Sequence, residues 1–212
     1  MTKAKHAATV GREELAQMVI RRSTVDLLGL PRSLCRDHAR FLREWRDALV
    51  NYGPIFRGEA PAGYLYQLDL PGTVPEATAR FTAEDPLAVH GIVESDEISD
   101  WHCALATRLP TAPPRPGLRG FFVHGIGKPG ITEFRNTIVA AHRAHLQRRD
   151  ESNCLSRGYL TDAGGREWLG SAMVYEFENR AALDDFFRDE PYCTHGIYQR
   201  IDIYDWRRGI VA

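Results

Sequence analysis

The chain has 212 residues, 43% hydrophobic and 10% aromatic, an ordinary globular composition with enough material for one large domain or two small ones. Its 27 Lys+Arg against 28 Asp+Glu leave a formal net charge of −1, so there is no basic footprint for nucleic acid or anionic lipid, and neither is expected as a partner. Residues 1–17 lack the apolar core of a signal peptide, and the four cysteines, Cys35, Cys103, Cys154 and Cys193, form no CxxC pair. With no run near the roughly 20 apolar residues of a membrane span, a cytoplasmic protein with free thiols is expected.

Met18–Arg21 reads as a short strand. Pro31 then opens a helix whose apolar positions Leu34, Phe41, Leu42, Trp45 and Leu49 recur at three and four, with His38 on the same stripe and Gly53–Pro54 as its stop. Residues near Ile55 supply another strand and Tyr64–Leu70 alternates as the next. Pro75–Phe81 starts a second helix that ends near Asp85–Pro86, and Gly91–Ile98 closes the unit as a strand. The proline-rich stretch Leu109–Gly117 cannot join a sheet ladder and reads as a linker. Beyond it the order returns: strand Gly120–Val123, helix Thr132–Gln147, a strand around Tyr159, strand Met173–Phe177, a helix from the Asn179 cap through Phe187, and strand Ile197–Ile203.

The repetition is also visible residue by residue. Residues 81–101 align without a gap to residues 186–206 at an offset of 105, matching Phe81/Phe186, Pro86/Pro191, His90/His195, Gly91/Gly196, Asp100/Asp205 and Trp101/Trp206. Two homologous domains are therefore expected, 1–107 and 119–212, joined by a linker at 108–118. The order βαββαβ in each predicts an α+β, ferredoxin-like unit with both helices on one sheet face. Packing the two units sheet to sheet would bury the faces left uncovered.

Both units resemble the YCII-related domain, a ferredoxin-like member of the dimeric α+β barrel superfamily. The resemblance is carried by His38-x-x-x-Leu42 and His142-x-x-x-Leu146, by Gly53–Pro54 and Gly158 after those helices, and by Asp85–Pro86 to Gly91 and Glu190–Pro191 to Gly196. It implies a histidine and an acid brought together in a pocket, acid/base chemistry without a cofactor, and dimerisation through sheets. Here the tandem chain would supply that dimer internally, and association of two such chains stays open. Family members with an assigned activity include a chlorohydroxyquinol dehydrochlorinase.

The candidate catalytic residues are His38 with Asp85 and His142 with Glu190. An imidazole held by a carboxylate has a fixed tautomer and can act as a general base, whereas the alternative is a core histidine satisfied by a carboxylate at a helix end. Glu190 carries an extra methylene and His145 competes with His142, so the first unit is expected to be the better site; the reverse division stays open, because His124, Cys193 and His195 add polar groups near the second unit's elements. His90, His195, Trp101 and Trp206 are candidate substrate-binding groups; turn roles for the histidines and packing between units for the indoles are the alternatives. A metal on His142 and His145, a nucleophilic Cys193 and a phosphate loop at Gly125-Ile126-Gly127 or Gly164–Gly165 are not expected, because the accompanying residues are missing. Two functions remain: a cofactor-free lyase or isomerase moving protons on a small cyclic, phenolic or quinone-like molecule, and a non-catalytic small-ligand or interaction protein.

Overall fold

The computed structural model describes residues 14–70, 74–108, 115–149, 153–162 and 164–209. The start of the chain and most of the proline-rich linker lie outside these residues. The first unit runs β1 (Glu14–Arg22), α1 (Arg32–Glu44), β2 (Leu49–Arg57), β3 (Ala60–Leu68), α2 (Val74–Glu84), α3 (Pro86–Val89) and β4 (Ser95–Ala106). The second runs β5 (Arg119–Gly127), α4 (Thr132–Arg149), β6 (Cys154–Thr161), β7 (Trp168–Phe177), α5 (Arg180–Arg188), α6 (Pro191–Thr194) and β8 (Tyr198–Trp206).

All pairings are antiparallel, and the strands close into one barrel in the order β1-β3-β2-β8-β5-β7-β6-β4. Each unit contributes four neighbouring strands, and the units meet at two seams, so the expected apposition of sheets is achieved by joining their edges. Closure removes every open edge. The seams are unequal: β4 pairs with β6 over Asp100–Ala106, whereas β2 pairs with β8 only at Ile55↔Trp206 and Phe56↔Asp205. Backbone hydrogen bonds from Arg207 to Pro54 and from Gly209 to Tyr52 extend the shorter seam.

Alternation along the strands divides the core. Met18 and Ile20 point into the barrel with Leu65, Trp101, Phe122 and Trp206, while Val19 packs outside with Tyr64, Tyr66 and the α1 stripe Phe41 and Leu42. α5 covers the second unit through Leu183, Phe186 and Phe187. Its cap forms as the sequence suggests, the Asn179 side chain accepting from the Ala182 N–H.

Two expectations are corrected. Helix α1 ends at Glu44, and Leu49 opens β2 instead of closing the helix. Gly53–Pro54 accordingly lies inside a strand. Gly53 has φ +155°, and a Cβ there would sit 1.9 Å from the Arg207 carbonyl and 3.0 Å from Trp206 Nε1. The glycine is needed for a close approach across the seam, not for stopping a helix. Gly158, 105 residues on, plays the reciprocal part: its Cβ would lie 2.4 Å from Trp101 Nε1. Each unit thus inserts the tryptophan of its last strand over the glycine of the other unit's second strand, an isologous contact within one chain.

Candidate active site

In both units an acidic residue followed by proline starts a four-residue helix, and the carboxylate is its N-cap: Asp85 accepts from the Leu87 N–H, Glu190 from those of Tyr192 and Cys193. Proline at the first helical position suits this geometry, because its missing N–H would have no partner there anyway. Helices α1 and α4 present His38 and His142 to these caps. The two pairs then differ.

His38 and Asp85 do not touch directly; Nε2 lies 3.9 Å from Oδ1. Tyr66 stands between them, with Oη 2.9 Å from His38 Nε2 and donating to Asp85 Oδ2 at 2.7 Å. Since the phenol spends its proton on Asp85, His38 Nε2–H must be the donor to Oη, which leaves Nδ1 bare, buried and unpartnered. Burial pushes the His38 pKa down; Asp85 opposes this and the Arg21 charge adds to it. Arg21 NH1 lies 2.9 Å from Asp85 Oδ2 without hydrogen-bond alignment, and NH2 reaches Asp96 at 3.1 Å. His38, Tyr66 and Asp85 are 0% exposed and Arg21 1%. This is a sealed polar cluster, with Tyr66 filling the space between the histidine and the acid.

His142 Nδ1 lies 2.6 Å from Glu190 Oε1. The methylene that looked like a defect carries the carboxylate to the ring. Burial alone would raise the Glu190 pKa, but the hydrogen bond and charge of His142 and the Tyr192 N–H more than offset it, and the carboxyl is held below its usual range. A carboxylate at Nδ1 fixes the neutral ring with its lone pair on Nε2. Tyr192 stacks on the imidazole with centroids 3.8 Å apart and planes within 1°. His142 also lines a cavity of about 230 Å³ between α4 and strands β6 and β7, shared with Tyr159, Ser171, Met173 and Tyr192.

The register accounts for the cavity beside His142. Val19 pairs with Tyr66 and Ile98, and Val123 pairs with Met173 and Ile203, the last being the repeat partner of Ile98. Met173 therefore stands where Tyr66 stands. Two residues along, Arg21 and Tyr64 are matched by Gly125 and Ser171. Exchange of three large side chains for smaller ones empties the space beside His142, part of which Tyr198 takes, its hydroxyl 3.0 Å from Ser171 Oγ.

The remaining candidates fall elsewhere. His145 is buried and turned to the Phe186 carbonyl at 3.1 Å, so it neither competes with His142 nor joins it as a ligand. Among the described residues no cluster of three or more His, Cys, Asp or Glu could hold a metal. Burial and the Glu190 charge push the Cys193 thiol far up, against a nucleophilic thiolate. His90 and His195 are exposed C-caps of α3 and α6. Trp101 and Trp206, 0% and 3% exposed, belong to the interior cluster on the opposite side of the sheet from His38 and pack at the seams between the units.

Eight antiparallel strands closed from two βαββαβ units, with helices outside, define a protein of the dimeric α+β barrel type. Within it, the YCII-related domain profile matches residues 121–207, so the chain contains a YCII-like domain. Protein YciI of Escherichia coli O6:H1 is 26% identical over 94 residues, covering 42% of this chain and 96% of that protein. Among solved structures, 5-chloro-2-hydroxyhydroquinone dehydrochlorinase (TftG) from Burkholderia phenoliruptrix AC1100, in complex with 2,5-dihydroxybenzoquinone, is 21% identical over 42% of this chain and 95% of its own, with a TM-score of 0.39. A heme-binding protein from Thermus thermophilus is 13% identical over 95% of this chain and 93% of its own, with a TM-score of 0.56. At such identity the likeness to the heme-binding protein establishes fold alone. Among the described residues no helix is long and apolar enough to cross a membrane.

Proposed function

We propose that the chain is a small-molecule enzyme whose second unit carries a His142–Glu190 acid/base pair, acting on a small cyclic, phenolic or quinone-like compound without a bound cofactor. The observation that carries this reading is the 2.6 Å contact between His142 Nδ1 and Glu190 beside a cavity that the same imidazole lines. Nε2 takes a proton from the substrate, and the imidazolium so formed is stabilised by the Glu190 carboxylate. The proton is then returned to another atom of the same molecule, an isomerisation, or leaves with a departing group, an elimination. Asp85 and His38 serve the fold.

A histidine with one nitrogen on a carboxylate and the other open has the donor chemistry of an axial haem ligand. The space does not match: about 230 Å³ takes one small ring, not a tetrapyrrole.

The test is turnover of a panel of quinols, lactones and small cyclic acids by the intact chain and two variants. His142→Ala is expected to lower the rate by about 10² to 10⁴, and His38→Ala to leave turnover per folded molecule unchanged. The opposite pattern would overturn the assignment. Binding without turnover of any compound would favour the ligand-binding alternative.

A further inference from the structure

Arg135 lines the cavity beside His142, together with Arg143 and Arg157. Arg135 is the informative member. Its guanidinium carbon lies 5.3, 5.7 and 5.8 Å from the ring centroids of Tyr159, Trp168 and Tyr192, and its Nε is buried without an acceptor. Its NH1 donates at 3.0 Å to Asn136 Oδ1, a neutral amide. Aromatic faces orient a guanidinium and stabilise its charge, and the groups that answer its in-plane N–H groups, the Asn136 amide and the Tyr192 hydroxyl, are neutral. A half-buried cation without a counter-ion is costly unless something else supplies one.

The first unit has no such residue. His38 and His142 differ by 104 positions, so Arg135 corresponds to Pro31, just before α1 begins at Arg32. Helix α4 starts at Thr132, a turn earlier relative to its histidine, and that extra turn delivers Arg135 to the cavity. The arginine arrives only in the unit whose neighbouring space is open.

We infer that the ligand of this cavity is a small planar ring bearing a carboxylate, and that Arg135 is its anion-binding residue. The inference rests on the reading of the cavity as the substrate site and names the substrate class. A planar guanidinium matches a carboxylate in two parallel hydrogen bonds, and the cavity volume leaves room for one ring beyond it. The ring then faces Tyr192 and His142, which are already stacked.

The experiment is calorimetric or NMR titration of the intact chain with benzoate and its neutral isostere benzamide. Benzoate is expected to bind at least 10-fold tighter than benzamide, to weaken at least 10-fold in Arg135→Gln, and to recover partly in Arg135→Lys, while benzamide ignores both substitutions. Equal binding of the two probes, no benzoate binding, or unchanged benzoate binding by folded Arg135→Gln would each overturn the inference. If Arg135→Gln fails to fold, the comparison of probes on the unaltered chain decides. His142→Ala separates the two readings: benzoate binding retained with turnover lost supports both. An unaltered Arg135→Gln affinity beside a dead His142→Ala would sink the anion site and leave the acid/base pair standing.

Discussion

Asp85 and Glu190 occupy the same place in the two repeats, each capping a four-residue helix, yet only the glutamate reaches its histidine. Shortening it should therefore spare the cap and break the pair. Glu190→Asp is expected to keep the thermal midpoint within a few degrees and to lower kcat by about 10², the usual penalty for displacing an orienting group by about 1 Å; an unchanged kcat in steady-state assays would count against Glu190 as a positioning residue. Tyr66→Phe should behave inversely. It strips the hydroxyl that joins His38 to Asp85 and costs about 1–3 kcal/mol, read as a shift in the urea midpoint, with turnover intact. A third histidine sets the response to acid. His124 faces the barrel interior, and burial holds its pKa down at about 4 against an ordinary 6.5, with the Glu97 charge opposing. The unfolded chain consequently binds the proton first, so stability is full above pH 6.5 and falls as the pH drops toward 4, by up to about 3 kcal/mol. His38 shifts in the same direction. Urea midpoints at pH 7 and pH 5 should differ clearly in the unaltered chain and less in His124→Gln; an equal difference in both would clear His124 of any part in the acid response.

At the scale of elements, the helices were legible in the sequence and the seams were not. The stripe Leu34, His38, Phe41, Leu42 reports helix α1 directly, because one packed face imposes its period on the residues. Gly53–Pro54 reads locally as a stop, since nothing nearby in the chain reveals that Trp206 and the Arg207 carbonyl will come to rest on it. The repeat itself contained the answer in a form that propensity cannot decode: glycines 105 apart face tryptophans 105 apart, each across the boundary between units. A methyl at Gly158 would meet the His102 carbonyl at 2.3 Å as well as the Trp101 indole. Gly158→Ala and Gly53→Ala should each destabilise by about 3 kcal/mol or more, because backbone cannot yield as a flexible side chain would. Urea unfolding of the two variants checks this, and a loss below about 1 kcal/mol in either would mean that its seam can open to admit the methyl.

For the whole molecule, the two units share one framework and differ where the fold does not need both. Seam packing stayed symmetric, with Trp101 over Gly158 and Trp206 over Gly53. The space beside the histidine did not. The aligned block 81–101 against 186–206 displays the acids and the tryptophans, and so invites attention to Asp85 versus Glu190. The residues that decide between a filled and an open site, Tyr64, Tyr66 and Arg21 against Ser171, Met173 and Gly125, lie outside that block and are matched only through strand register. Register is a tertiary property, which is why spacing alone could not distinguish a filled space from an open one. The same register supplies a direct test. Met173→Tyr installs in the second unit the phenol that seals the first, at the position where that side chain fits between a histidine and a capping carboxylate in the first unit. The unaltered chain is expected to bind one benzoate per molecule, not two. Met173→Tyr is expected to bind none while melting at or above the midpoint of the unaltered chain. Two equivalents of benzoate would mean that the first unit is open, and full binding by folded Met173→Tyr would mean that the absence of a tyrosine is not what makes the cavity.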